Sequence, residues 1–321
     1  MEEEGELCFP QMPNRSCRLP RVEPSESLVY SLILGSLSVL VTVLNLLVIL
    51  SICCFRQLQT STNQILLSLA CSDFLLGLVV IPVSFWTWGR CWTWGEYACT
   101  SYYFFIASLQ IATLYTVVLI SVDRYVAVMD PMRYRTRMST CNVRISIGAT
   151  WCYAVLFCFI TMNGMFAPDK PVRCLGECTI TVLVEGDLIL GLMLPLLIII
   201  GLYARILSVV VAKIQTAQLN CTSHVSDKMK VKQMFELKAA KNLGIVVAVH
   251  LLCLIPYYST SYSTGGAIDT GGNVSFYISG FLLFLNSLIN PIIYVLIYPK
   301  FRKAFKIIIT LKILCSGPVL Q

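Results

Sequence analysis

Residues 111–125 read Ile111-Ala112-Thr113-Leu114-Tyr115-Thr116-Val117-Val118-Leu119-Ile120-Ser121-Val122-Asp123-Arg124-Tyr125. The apolar run, which extends over 100–128, ends in an acid and a base. At 1.5 Å per residue such a run is long enough to cross a hydrocarbon core of about 30 Å. It therefore reads as a membrane helix with Asp123 and Arg124 at its inner end. Comparable runs fall at 28–53, 64–88, 145–166, 183–211, 238–262 and 275–298. Hydrophobic residues make up 57%, charged residues 13%, and the mean hydropathy is +0.76. These values predict an all-α membrane protein, a seven-transmembrane helix bundle with a short amphipathic cytoplasmic helix, rather than soluble domains. The expected organisation is a tail over 1–27, the bundle over 28–298, and the amphipathic helix with a tail over 299–321.

Orientation follows from Lys and Arg in the short connections, which stay on the cytoplasmic side. Arg56 follows span one, Arg133, Arg135, Arg137 and Arg144 surround the third-to-fourth connection, and Lys228, Lys230, Lys232, Lys238 and Lys241 crowd the fifth-to-sixth. Lys300, Arg302, Lys303 and Lys306 follow span seven. The amino terminus is then outside, its Glu2, Glu3, Glu4 and Glu6 reading as an exposed tail rather than a cleaved leader. The net charge of +7 becomes a cytoplasmic rim facing anionic membrane lipid. No basic domain with interleaved aromatics suggests nucleic acid as a partner.

Of fifteen cysteines, Cys8, Cys17, Cys91, Cys99, Cys174 and Cys178 map outside, where disulfides persist. Asn14-Arg15-Ser16 is a glycosylation acceptor in the exposed tail. Cys315, beyond the basic amphipathic helix, is a candidate for palmitoylation.

Polar groups in membrane helices need partners or a role. Those here are Asn45 in span one, Asp73 in span two, Gln110 and Thr113 in span three, Trp151 in span four, Asp187 in span five, His250 in span six, and Asn286, Ser287 and Asn290 in span seven. In this order, together with Asp123-Arg124-Tyr125 and Asn290-Pro291-Ile292-Ile293-Tyr294, they resemble the rhodopsin-like class of G-protein-coupled receptors along nearly the whole chain. Residues 286–306, Val126-Ala127-Val128-Met129-Asp130-Pro131, Glu236-Leu237-Lys238-Ala239-Ala240-Lys241 and Cys174-Leu175-Gly176-Glu177-Cys178 more narrowly resemble the trace amine-associated receptors, in particular divergent members such as those expanded in fish. The resemblance implies an olfactory amine receptor in the plasma membrane, including the cilia of sensory neurons. It also implies coupling to a stimulatory or olfactory heterotrimeric G protein that raises cAMP. It pairs Cys99 with Cys178 and Cys17 with Cys174; Cys8 with Cys91 is a further pairing that sequence leaves open.

Most aminergic receptors hold the ligand ammonium on a span-three aspartate, eighteen residues outward of the arginine. Here that position is Ile106. Asp187, eight residues or about two turns before Pro195, faces the same cavity if the resemblance holds. Some fish members place the amine-binding acid there, which makes Asp187 the expected counter-ion through a charge-assisted hydrogen bond in a poorly hydrated pocket. The competing reading is a solvated helix-start acid beside Glu185, favoured by the helix dipole. Gln110 is expected to face the ligand or bond a neighbouring backbone. Aromatic candidates for the pocket are Tyr102, Tyr103, Trp86, Tyr257, Tyr258, Tyr262, Tyr277 and Phe284, each of which also suits packing.

For signalling, the resemblance gives a resting latch of Arg124 with Asp123 and Glu236, with Tyr125 completing the motif. Tyr203, Pro291 and Tyr294 support the active arrangement. Asp73, Thr113, Asn286, Ser287 and Asn290 resemble an allosteric sodium site, an oxygen-rich set that suits a hard cation; the plainer reading is a polar network with buried water. No other cofactor is expected. Two departures stand out: Leu254 where the family has tryptophan, and His250 where it has phenylalanine. A non-amine ligand is the rival function within this fold. A retinal protein is disfavoured because span seven lacks lysine, a transporter because no internal repeat is visible, and an enzyme because no catalytic cluster falls in the spans.

Overall fold

The computed structural model describes residues 6–18, 23–162, 174–176, 178, 180–181, 186–219, 244, 247–260, 263, 267–268 and 274–310. Glu185, Glu236, Tyr262, the Tyr277 side chain, the lysines from Lys228 to Lys241 and Cys315 lie outside them. Among the described residues, the spans are Pro24–Cys54, Ser61–Thr87, Gly95–Met129, Thr140–Thr161, Asp187–Ala212 within a helix that runs on to Leu219, Val247–Thr260 and Val274–Ile297. The helix Pro299–Ile309 follows after a break at Tyr298. A two-residue antiparallel pair, Ile180–Thr181 with Ala267–Ile268, lies among the outer loops.

The structure moves several span boundaries. Span four starts at Thr140, not 145, because Ser139 caps it: its Oγ accepts from the Asn142 N–H at 3.3 Å. Span two starts at Ser61, not 64, with Thr60 Oγ1 accepting from Asn63 N–H. A capped polar first turn has low hydropathy, so a reading by apolar run overlooks it. Met162 closes span four, short of the expected 166.

The bundle is apolar outside and polar within. Val39, Leu197 and Leu252 are exposed, whereas Asn45, Asp73, Asn286 and Asn290 are almost fully buried. In lipid an unpaired polar group costs several kcal/mol, so such groups turn inward and bond one another. Asn45 Nδ2 donates to Val41 O and to Ser287 O, joining spans one and seven. Trp151 Nε1 donates to Ser68 Oγ, joining spans four and two. The inner half is filled by Ile52, Ile65, Leu66, Leu69, Ile120 and Tyr294, on which the last helix lays Phe301, Ala304 and Phe305.

Spans two and five each contain a π-helical turn, Leu76–Val80 and Asp187–Met193. Each precedes a proline, Pro82 or Pro195. A proline has no N–H and its ring crowds the carbonyl four residues before it, so the widened turn relieves that crowding. In span two the turn brings Gly77 against span one. A Cβ there would lie 2.8 Å from Val41 Cγ1 and 2.9 Å from the Thr42 backbone nitrogen. Ser38 Oγ also donates to Gly77 O.

The end of the bundle next to the amino-terminal tail carries a cross-linked cap. Cys99 pairs with Cys178 and Cys17 with Cys174, and the structure adds Cys8 with Cys91. Backbone bridges join Ser16 to Leu175 and Leu7 to Arg18. Gly176, at φ +104°, lies where a Cβ would meet the Cys8 Cβ at 2.5 Å. The Asn14 side chain is exposed in the same tail.

Gly77→Val should push spans one and two apart and destabilise the protein by about 1–3 kcal/mol, the range for overpacking. Thermal denaturation of the purified protein checks this, with Gly148→Ala, where a Cβ meets nothing within 4 Å, as the expected silent control.

Candidate functional site

A small cavity of about 50 Å³ opens between spans three, four, five and six. A water needs roughly 10–15 Å³ of such space, so the cavity matches a compact head group rather than a bulky one. Span three contributes Tyr103, Ile106, Ala107, Gln110 and Ile111. Span four gives Phe157, Cys158, Thr161 and Met162, span five Asp187, and span six Tyr257 and Tyr258.

Asp187 heads the π-helical turn of span five, and its partly buried carboxylate has no hydrogen-bond or ion-pair partner among the described residues. Among the described residues no Lys, Arg or His lines the cavity. Tyr115 of span three donates its hydroxyl to Leu190 O at 2.8 Å, tying the widened turn to the bundle. Tyr257 and Tyr258 meet edge to face with ring centroids 5.6 Å apart.

Ile106, Gln110, Tyr103, Tyr257 and Tyr258 thus share one cavity with Asp187, while three other expected aromatics do not line it. Phe284 packs among Leu34, Val41, Leu76 and Leu109, on the side of spans one and two. Tyr102 donates to Val80 O and lies 2.6 Å from Ser84 Oγ, so its hydroxyl is used within the bundle. Trp86 is exposed, with the Arg90 guanidinium 4.6 Å over its ring. Phe157, Cys158, Thr161 and Met162 went unsuspected, because nothing in their residue types separates cavity lining from core.

The expected cation cluster divides in two. Asp73 accepts from Ser287 Oγ at 2.7 Å and Asn290 Nδ2 at 2.9 Å. Thr113, however, donates to Ser72 Oγ rather than to Asp73. Asn286 turns to span six, its Nδ2 lying 2.7 Å from His250 Nδ1. An amide N–H donates, so Nδ1 accepts and the imidazole proton belongs on Nε2. His250 Nε2 and Asn286 Oδ1 are both buried without a hydrogen-bond partner among the described residues. Leu254, one turn further out, is buried among Leu114, Val117, Ile199 and Tyr258.

At the end of the bundle opposite the disulfides, Asp123 is fully buried and Arg124 nearly so. Arg124 pairs with the Asp123 carboxylate through Nε and Nη2, and Nη2 also donates to Thr62 Oγ1 at 2.7 Å. Thr62 Oγ1 donates to Asp123 Oδ2 and the Tyr134 hydroxyl to Asp123 Oδ1. Thr62 and Tyr134 are partners that sequence reading missed, because they come from span two and from the turn after span three. Tyr125 and Tyr203 pack against Val128 and Ile206, and a Cβ on Gly244 of span six would lie 3.2 Å from Tyr203 Cε1. Tyr294 is fully buried, and Pro291 lies inside the span-seven helix.

The profile described as "7 transmembrane receptor (rhodopsin family)" matches residues 44–294. Trace amine-associated receptor 13c of Danio rerio is 35% identical, covering 96% of this chain and 93% of that protein. Trace amine-associated receptor 7e of Mus musculus is 34% identical over 97% of this chain and 90% of its own. Receptor 7b of Rattus norvegicus is 33% identical over 96% and 89%. The chain belongs to the trace amine-associated receptors of the rhodopsin family. It is a receptor and not an enzyme, a multi-span protein of the plasma membrane, with a small-molecule ligand and a heterotrimeric G protein as partners.

The His250–Asn286 contact can be tested by a double variant. Asn286→Leu leaves the imidazole buried and unpaired and should cost about 1–3 kcal/mol, whereas replacing both partners by apolar groups can be nearly neutral. Adding His250→Phe should therefore restore much of the melting temperature of the purified receptor.

Proposed function

We propose that this receptor senses amines and that Asp187 binds the ligand ammonium. The observation that carries the reading is the lone carboxylate in an apolar and aromatic cavity, with no cation and no hydrogen-bond donor on it among the described residues. Desolvating an acid is costly, and a ligand that brings a positive charge offsets the cost. Ile106, at the position most aminergic receptors give to the acid, leaves span five as the source of charge. Tyr103, Tyr257 and Tyr258 offer ring faces to the cation, and Gln110 offers a neutral hydrogen-bonding group.

The names of the relatives support a trace amine as the ligand. The proposed output is coupling to a stimulatory or olfactory G protein and a rise in cAMP, in olfactory sensory neurons whose cilia carry the amino terminus outside. Basic residues in the inner connections and three disulfides at the opposite end support that orientation. In the resting form Arg124 is held by Asp123 and Thr62, and Tyr134 donates to the same Asp123 carboxylate. Glu236 would add to that latch, and the outward swing of span six would release Arg124 to the G protein.

Asp73 is proposed to hold an allosteric sodium ion. Its carboxylate and the Ser287 hydroxyl are oxygens suited to a hard cation, and Thr113 and Asn286, which bond Ser72 and His250 here, would turn toward Asp73 to complete the set. A bound cation would supply the positive charge that this buried carboxylate otherwise lacks. Asn290 donates to the same carboxylate and orients it.

The deciding experiment measures cAMP in cells expressing the receptor against a panel of mono- and diamines. Asp187→Ala should weaken amine potency by about 100-fold or more, in line with the 3–5 kcal/mol scale of a broken buried pair, and Asp187→Glu should keep part of the response. A receptor indifferent to both changes contradicts the reading and points to a non-amine ligand.

A further inference from the structure

We infer that Gly191 is a positioning residue of the ligand site: lacking a side chain, it lets the Asp187 carboxylate lie back along its own helix and so sets the depth at which the ammonium is held. This rests on Asp187 being the counter-ion.

Every Cα–Cβ bond in a helix tilts toward the amino-terminal end, so a side chain at 191 would aim at the residue one turn earlier, which is Asp187. A Cβ on Gly191 would lie 2.7 Å from Asp187 Oδ1, 3.2 Å from the Tyr258 hydroxyl and 3.4 Å from Ile111 Cδ1. A carboxylate oxygen, a phenol oxygen and a methyl group, from spans five, six and three, therefore converge on one point over bare backbone. All three residues line the cavity. The Tyr115 bond to Leu190 O fixes the backbone immediately before this point, and Pro195 widens the turn four residues after it.

With a methyl group at 191, the Asp187 side chain has the freedom to yield, whereas Ile111 and Tyr258 are packed in the bundle. The carboxylate would rotate away from Gly191, toward the amino-terminal end of span five. The ammonium would then sit shallower, leaving less room between it and the outer wall formed by Tyr103 and Ile106. A longer amine loses more from this than a short one. Gly201 on the same span is the control, because a Cβ there meets nothing within 4 Å. Alanine is the better helix former at both positions, so a role in helix stability alone predicts no harm from either substitution.

The experiment measures cAMP dose–response for a series of primary amines from propylamine to octylamine, with surface expression of each variant quantified. Gly191→Ala should reach the surface, lose about tenfold or more in potency for the longest amine that activates the parent, lose little for the shortest, and so shift the preferred chain length downward. Gly201→Ala should match the parent. An equal change for every amine, complete loss included, no change at all, or failure of Gly191→Ala to reach the surface overturns the proposal. If the amines act but Asp187→Ala leaves them unaffected, the counter-ion reading fails first, whatever Gly191→Ala does.

Discussion

A carboxylate inside a helix bundle surrounded by lipid has to be neutralised or bonded, because no water stands by to solvate it. Three aspartates meet this constraint in different ways. Asp123 is held by Arg124, Thr62 and Tyr134. Asp73 accepts from Ser287 and Asn290. Asp187 has neither arrangement among the described residues, and it faces a cavity. Asp123 and Asp73 join helices together through these bonds, whereas Asp187 joins none among the described residues.

The polar interior forms a series of short links between these acids. Tyr258 lines the Asp187 cavity and packs in the same cluster as Leu254, one helical turn from His250. His250 reaches Asn286, which precedes Ser287 on span seven, and Ser287 bonds Asp73. With Leu254 in place of an aromatic ring, the centre of span six is tied to span seven by a hydrogen bond rather than by ring packing. Neutral hydrogen bonds of this kind contribute about 1 kcal/mol net, so the tie is weak enough to exchange.

The fold was legible because lipid imposes a simple rule: apolar runs of bilayer length, with bases on one side. What that rule missed were polar first turns, such as those capped by Ser139 and Thr60, whose stability comes from one hydrogen bond rather than from hydropathy. At the site, register counting brought Asp187, Ile106 and Gln110 to one cavity. It did not separate Phe284, which packs toward span one, from Tyr258, because both are aromatic residues in outer halves of helices. Position alone brings Thr113 and Asn286 near Asp73, but their side chains bond Ser72 and His250, and rotamer choice of that kind depends on which neighbour the adjacent span presents. The role of Gly191 had no sequence signal, since a glycine in a membrane helix acquires meaning only from what its missing side chain would touch.

The most direct test is an experimental structure of the receptor with an activating amine bound. The account predicts the ligand nitrogen within about 2.7–3.2 Å of an Asp187 carboxylate oxygen, lying toward Gly191 and the Tyr258 hydroxyl. An ammonium nitrogen seated elsewhere, with the Asp187 carboxylate turned out to water, would contradict it.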